Sequence, residues 1–77
     1  MTSQLSADAA LALTVNGESR TVAPGTTVAA LLASLALDPR LVVVERNREI
    51  LRDRDALAGI ALADGDVLEI VHFVGGG

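Results

Sequence analysis

The chain has 77 residues, ten acidic and six basic, for a formal net charge of -4. A chain of this length makes one domain that buries only roughly 60% of the surface its unfolded form exposes, leaving little room for a deep catalytic cleft. With no cysteine, one histidine and scattered carboxylates, disulfides, a thiol nucleophile and metal-ligand spacing are excluded, and the acidic balance favours a partner with a positive surface over nucleic acid.

Residues 1–10 are polar and small, without the basic and apolar regions of a secretory signal. They read as a short disordered leader. No apolar run approaches the ~20 residues of a membrane span, so the expectation is a cytoplasmic protein. Leu11, Leu13 and Val15 then alternate with Ala12 and Thr14 at the period of a half-buried strand, and Asn16-Gly17 supplies two residues tolerant of positive φ. An antiparallel return strand from about Glu18 to Ala23 is expected, ending at Pro24-Gly25.

Thr26 or Thr27 can cap a helix, and Val28, Leu31, Leu32 and Leu35 follow at i, i+3, i+4, i+7 spacing. The spacing predicts a helix over about Val28 to Leu37, stopped by Asp38-Pro39, because the residue before proline is pushed out of the α region. Leu41 to Glu45 reads as a central strand with Val42 and Val44 inward. Asn47 and Arg48 turn the chain into a short edge strand, Glu49 to Leu51. Arg52-Asp53-Arg54-Asp55 alternates in charge as a solvated loop does. Asp64-Gly65-Asp66 is a tight turn into a final strand, Val67 to Val74, with Leu68, Ile70 and His72 on one side and Val67, Glu69, Val71 and Phe73 on the other. These elements predict an α+β roll, a mixed sheet of four to five strands with one main helix across one face: the β-grasp arrangement. The domain is expected over residues 11–74.

Gly75-Gly76-Gly77 follows as an arm with no side chains, flexible by expectation and narrow enough to enter a constricted active site. A glycine end by itself is equally that of a loose terminus. All six basic residues are arginines, so no side-chain amine is present to receive an isopeptide bond.

Asn16-Gly17, Pro24-Gly25-Thr26-Thr27-Val28, Val42 through Asn47 with Glu49-Ile50, Asp64-Gly65-Asp66 and Val71-His72-Phe73-Val74-Gly75-Gly76-Gly77 occur together and in order. In this the chain resembles the sulfur carrier proteins of thiazole biosynthesis in the thiamine pathway, which are ubiquitin-like, over about Leu11 to Gly77. It departs at Leu51-Arg52, where the family often has a proline, and at Ala56-Leu57, where many members place a tryptophan. The resemblance implies that the Gly77 carboxylate is adenylated by an E1-like partner using ATP, converted to a thiocarboxylate by a persulfide sulfur donor, and used by thiazole synthase. Gly75 and Gly76 would thread the partners' active sites. The chain would be a covalent cosubstrate with no bound cofactor or metal, not an enzyme.

Ordering several glycines costs roughly 1–2 kcal/mol each, so the folded body must add binding contacts. Val71 and Phe73, opposite in parity to Leu68 and Ile70, are the expected interface, and Phe73 is the only aromatic residue. The small subunit of molybdopterin synthase and carriers for cysteine synthesis share the fold and the paired glycines, but molybdopterin carriers often have prolines before them. A ubiquitin-like protein modifier and a noncatalytic binding module are the alternatives of other classes.

Overall fold

The computed structural model describes residues 10–73. The expected leader before Ala10, and positions 74 to 77 with the glycine arm, lie outside the described residues.

Strand β1, Leu11–Val15, and strand β2, Glu18–Val22, form the first hairpin. Its two-residue turn has Asn16 at φ 51° and Gly17 at φ 83°, the left-handed pair that matches the twist of the flanking strands. Helix α1 covers Val28–Ser34 and is capped by Thr27, whose hydroxyl oxygen accepts from the Ala30 N–H at 3.1 Å. The chain then passes through a 3-10 turn, Pro39–Leu41, into β3, Val42–Arg46, and β4, Glu49–Leu51. A second 3-10 segment, Arg54–Gly59, precedes β5, Val67–His72.

The strands make one mixed sheet in the order β2-β1-β5-β3-β4. The last strand lies in the middle, parallel to β1 on one side and antiparallel to β3 on the other. The third strand, expected to be central, is interior but displaced from the middle by β5. One face of the sheet supplies Leu13, Val15, Val42, Val44, Leu68 and Ile70 to a core closed by Val28, Leu31 and Leu32 of α1.

Helix α1 stops at Ser34, three residues before the predicted end. Proline is not what stops it. Ala36 takes φ 59°, the Leu37 N–H donates to the Leu32 carbonyl at 2.9 Å, and the Ala36 N–H donates to the Ala33 carbonyl at 3.0 Å. This paired closure satisfies the last helical carbonyls and turns Leu37 back against the core.

The segment expected to be a solvated loop is also built. Asp53 caps the second 3-10 segment by accepting from the Asp55 N–H at 3.0 Å, and Leu57 within it is buried. Residues 60–62 then run beside the start of α1, with Val28 N–H donating to the Ile60 carbonyl and Leu62 N–H to the Thr26 carbonyl, each at 2.9 Å. Leu57 and Leu62 thereby close the core. Charge alternation at Arg52 to Asp55 describes only the outer side of this segment.

Candidate functional site

The last strand leads into the glycine arm, so the geometry around β5 determines how the arm leaves the domain. On its β1 side, β5 and the turn before it are held by a continuous run of bonds. The Ala12 N–H donates to Asp64 Oδ1 and the Gly65 N–H to the Ala12 carbonyl, both at 2.7 Å; Thr14 N–H reaches the Asp66 carbonyl at 3.0 Å, and Asn16 N–H the Leu68 carbonyl at 2.9 Å. Where β1 ends, the Asn16 side chain continues the ladder. Its Oδ1 accepts from the Ile70 N–H at 2.6 Å and its Nδ2 donates to the Ile70 carbonyl at 3.1 Å.

The β3–β4 turn supplies a similar clamp at the start of β5. Asn47 and Arg48 have φ of 50° and 74°. Asn47 Oδ1 accepts from the Val67 N–H at 2.9 Å, and its Nδ2 donates to Asp66 at 3.0 Å. Asp66, 5% exposed, is the hub: its carboxylate also takes the Ala63 N–H at 2.8 Å and two Arg46 nitrogens at 2.9 Å each. Burial opposes its charge, but the bonds from Ala63, Asn47 and Arg46, with the arginine's charge, outweigh burial and hold its pKa below the ordinary carboxylate value. A buried carboxylate that accepts this many bonds is held as an anion and anchors the strand.

The strand is shorter than predicted. It ends at His72, and Phe73 lies beyond it, because its partner β3 begins only at Val42 and Leu41 belongs to the 3-10 turn. One bond persists, from the Phe73 N–H to the Leu41 carbonyl at 2.8 Å. The predicted end at Val74 lies outside the described residues. The Phe73 ring is 51% exposed, with the Arg54 guanidinium carbon 5.9 Å from its centroid. Arg54 is held there by its Nε, which donates to the Pro39 carbonyl at 2.8 Å.

The parity of β5 is as expected: Leu68 and Ile70 are buried, while Val71 is 60% exposed on the opposite face. The register across that face sets Val43 opposite Val71, Glu45 opposite Glu69, and Ile50 of β4 opposite Glu45. Val67 and Ile50 are also among the exposed large apolar side chains. An open depression of about 680 Å³ is lined there by Glu45, Asn47, Arg48, Val67, Glu69 and Val71. His72, on the parity of the buried side chains, is nevertheless exposed at the strand's end.

The described residues thus bring Val71 and Phe73 to the surface beside the root of the arm, and Gly75, Gly76 and Gly77 lie outside them. Sequence reasoning missed Asp66, Asn16 and Asn47 as anchors of β5 and Arg54 as the neighbour of Phe73. Among the described residues no three His, Cys, Asp or Glu side chains gather as a metal site, and no helix is long and apolar enough to cross a membrane.

A five-stranded mixed sheet with one main helix on one face and the last strand in its middle is a β-grasp, ubiquitin-like roll. The crystal structure of the thiamine biosynthesis protein ThiS from Geobacter metallireducens superposes on it with a TM-score of 0.73 and 40% sequence identity, covering 87% of this chain and 100% of that one. The chain belongs to the ThiS family, whose model matches residues 13–77. It is 51% identical over 51 residues to the sulfur carrier protein ThiS of Bacillus subtilis, covering 66% of this chain and 76% of that protein. It is also 51% identical over 65 residues to a thiazole synthase of Paramagnetospirillum magneticum. That match takes in 84% of this chain but only 20% of the synthase, so the chain spans about a fifth of that relative's length.

Proposed function

We propose that this chain is a sulfur carrier whose Gly77 carboxylate becomes a thiocarboxylate and supplies sulfur for thiazole formation. The observation that carries the reading is the ThiS family match, which extends through all three final glycines. A carboxylate is a poor electrophile. Attack of its oxygen on the α-phosphorus of ATP, on an E1-like adenylating enzyme, releases pyrophosphate and gives an acyl-adenylate. The terminal sulfur of a persulfide donor then displaces AMP to form an acyl disulfide, which a thiol reduces to the thiocarboxylate. ATP belongs to the activating partner, and the chain itself binds no cofactor and catalyses no step.

The architecture suits this task. A domain with a closed aliphatic core and its last strand in the middle of the sheet gives the arm a firm root. Gly75 and Gly76, without Cβ atoms, fit passages that exclude other residues. Val71 and Phe73 at that root are the body contacts that offset the entropy of ordering the arm.

Thiazole synthase as acceptor is supported by the Paramagnetospirillum relative, in which a fifth of a thiazole synthase is similar to this chain. Joining the two in one polypeptide raises the effective concentration of one for the other, which is useful only if they work together. The same relation favours thiazole formation over molybdopterin or cysteine synthesis. A requirement for ATP and a persulfide donor is what supports a cytoplasmic setting for this reading.

The test is intact mass after incubation with the adenylating enzyme, ATP and a persulfide donor. The parent chain should gain one oxygen-to-sulfur exchange, located to Gly77 by fragmentation. A chain extended by one alanine should gain none. Equal exchange at the new alanine terminus would overturn the requirement for a glycine end.

A further inference from the structure

The outer sheet face carries a charge arrangement that the domain does not need for its own stability. Glu45 and Glu69 are direct cross-strand partners, a relation in which like charges are destabilising. Neither belongs to an ion pair among the described residues; Arg46 is committed to Asp66 and Arg40 to Asp38. Arg48 lines the same depression without pairing to either. Helix α1 packs on the opposite face, so nothing described covers this one. Beside the two carboxylates stand exposed Val67 and Val71, and the chain as a whole is acidic.

We propose that this face docks a protein partner through an arginine that lies between Glu45 and Glu69, its aliphatic stem along Val67 and Val71. The proposal rests on the carrier reading, since the partner's role is to receive the glycine arm. Cross-strand neighbours have Cβ atoms about 4.5–5.5 Å apart, close enough for one planar guanidinium to donate to both carboxylates. A compact ammonium lacks that fork. The stem needs apolar walls, and the two valines supply them. The charge pair then acts as a selectivity device: a partner without the cation buries two facing carboxylates unpaired and is rejected.

Calorimetric titration of the adenylating enzyme and of thiazole synthase, both from the same organism, with wild type, Glu45→Gln/Glu69→Gln and Glu69→Arg tests this at low and physiological salt. The double glutamine variant should bind at least one enzyme about tenfold more weakly, with a flatter salt dependence. Glu69→Arg, which gives Glu45 an internal partner, should weaken it further. Relief of the repulsion should raise the melting temperature of the glutamine variant by about 2–5 °C at low salt, so a folding defect cannot imitate the binding loss. Unchanged affinity and salt dependence for both enzymes overturns the proposal. If wild type binds neither enzyme and takes up no sulfur, the carrier reading itself fails and this proposal with it.

Discussion

Replacing Asn16 with glycine removes the side chain that bonds Ile70 while leaving a residue that accepts φ 51° without strain. Two bonds are lost, at 2.6 and 3.1 Å. At about 0.5–1.5 kcal/mol each, the expected destabilisation is about 1–3 kcal/mol. Asn16 is exposed, so water can reach the freed groups and the centre of that range, about 2 kcal/mol, is the appropriate figure. Asn16→Ala should cost about 1 kcal/mol more, because an alanine is unfavourable in the left-handed region. With a urea m-value of about 1 kcal/mol/M for a domain this small, the glycine variant should unfold near 2 M less urea than wild type. Hydrogen exchange at the Ile70 amide should accelerate by more than the global stability loss explains, since that amide is exposed locally as well. A glycine variant within about 0.5 kcal/mol of wild type, with Ile70 exchange unchanged, would show that the side chain adds nothing to the ladder.

Two further outcomes follow from the same geometry. Asp66 has its folded pKa below its unfolded value, so the stability it adds is complete above the ordinary carboxylate range and is lost as pH falls through the folded pKa; Asp66→Asn should flatten the urea midpoint below pH 4 and cost about 1.5–3 kcal/mol at neutral pH by removing the charge-assisted bonds to a partly exposed Arg46. Asp38, lowered to about 2 chiefly by its side-chain bond with Arg40, pairs with a solvent-exposed arginine and should add little to that slope. Ala36→Gly should stabilise by about 0.5–1 kcal/mol, as relief of about 1–2 kcal/mol at φ 59° exceeds glycine's extra unfolded-state entropy; a lowered melting temperature would mean that the Leu37 contact, not the backbone, sets this helix end.

Most of the architecture was legible because it is written in local periods. The Asn16-Gly17 hairpin, the helix start at Thr27, the inward valines of β3 and the alternation of β5 each depend on residues a few positions apart, and each formed as read. What escaped depends on distance. Asp66 joins Arg46 and Asn47, about twenty positions earlier, and Asn16 reaches Ile70 over 54 positions, so no window along the chain contains both partners. The end of β5 was misjudged for the same reason: Val71 to Val74 is continuous in strand-forming residues, but a strand lasts only while its neighbour does, and the neighbour starts at Val42. Leu57 and Leu62 were hidden by charged and small residues around them. The helix end was missed because alanine rarely takes positive φ, and nothing around Ala36 announces that it will.

The strand order also constrains how the protein is made. With β5 between β1 and β3, a nascent chain that has reached only Asp66 holds two hairpins with no sheet joining them, and the buried positions of β1 and β3 lack the strand that brings them together. The pairing of β1 with β5 must wait for a strand synthesised more than fifty residues later, a long-range closure of the kind that slows folding. The sheet therefore closes only once β5 has been made, and a product lacking β5 presents a protease with an open chain. Any copy that has acquired a stable core has already been read past the strand from which the arm extends.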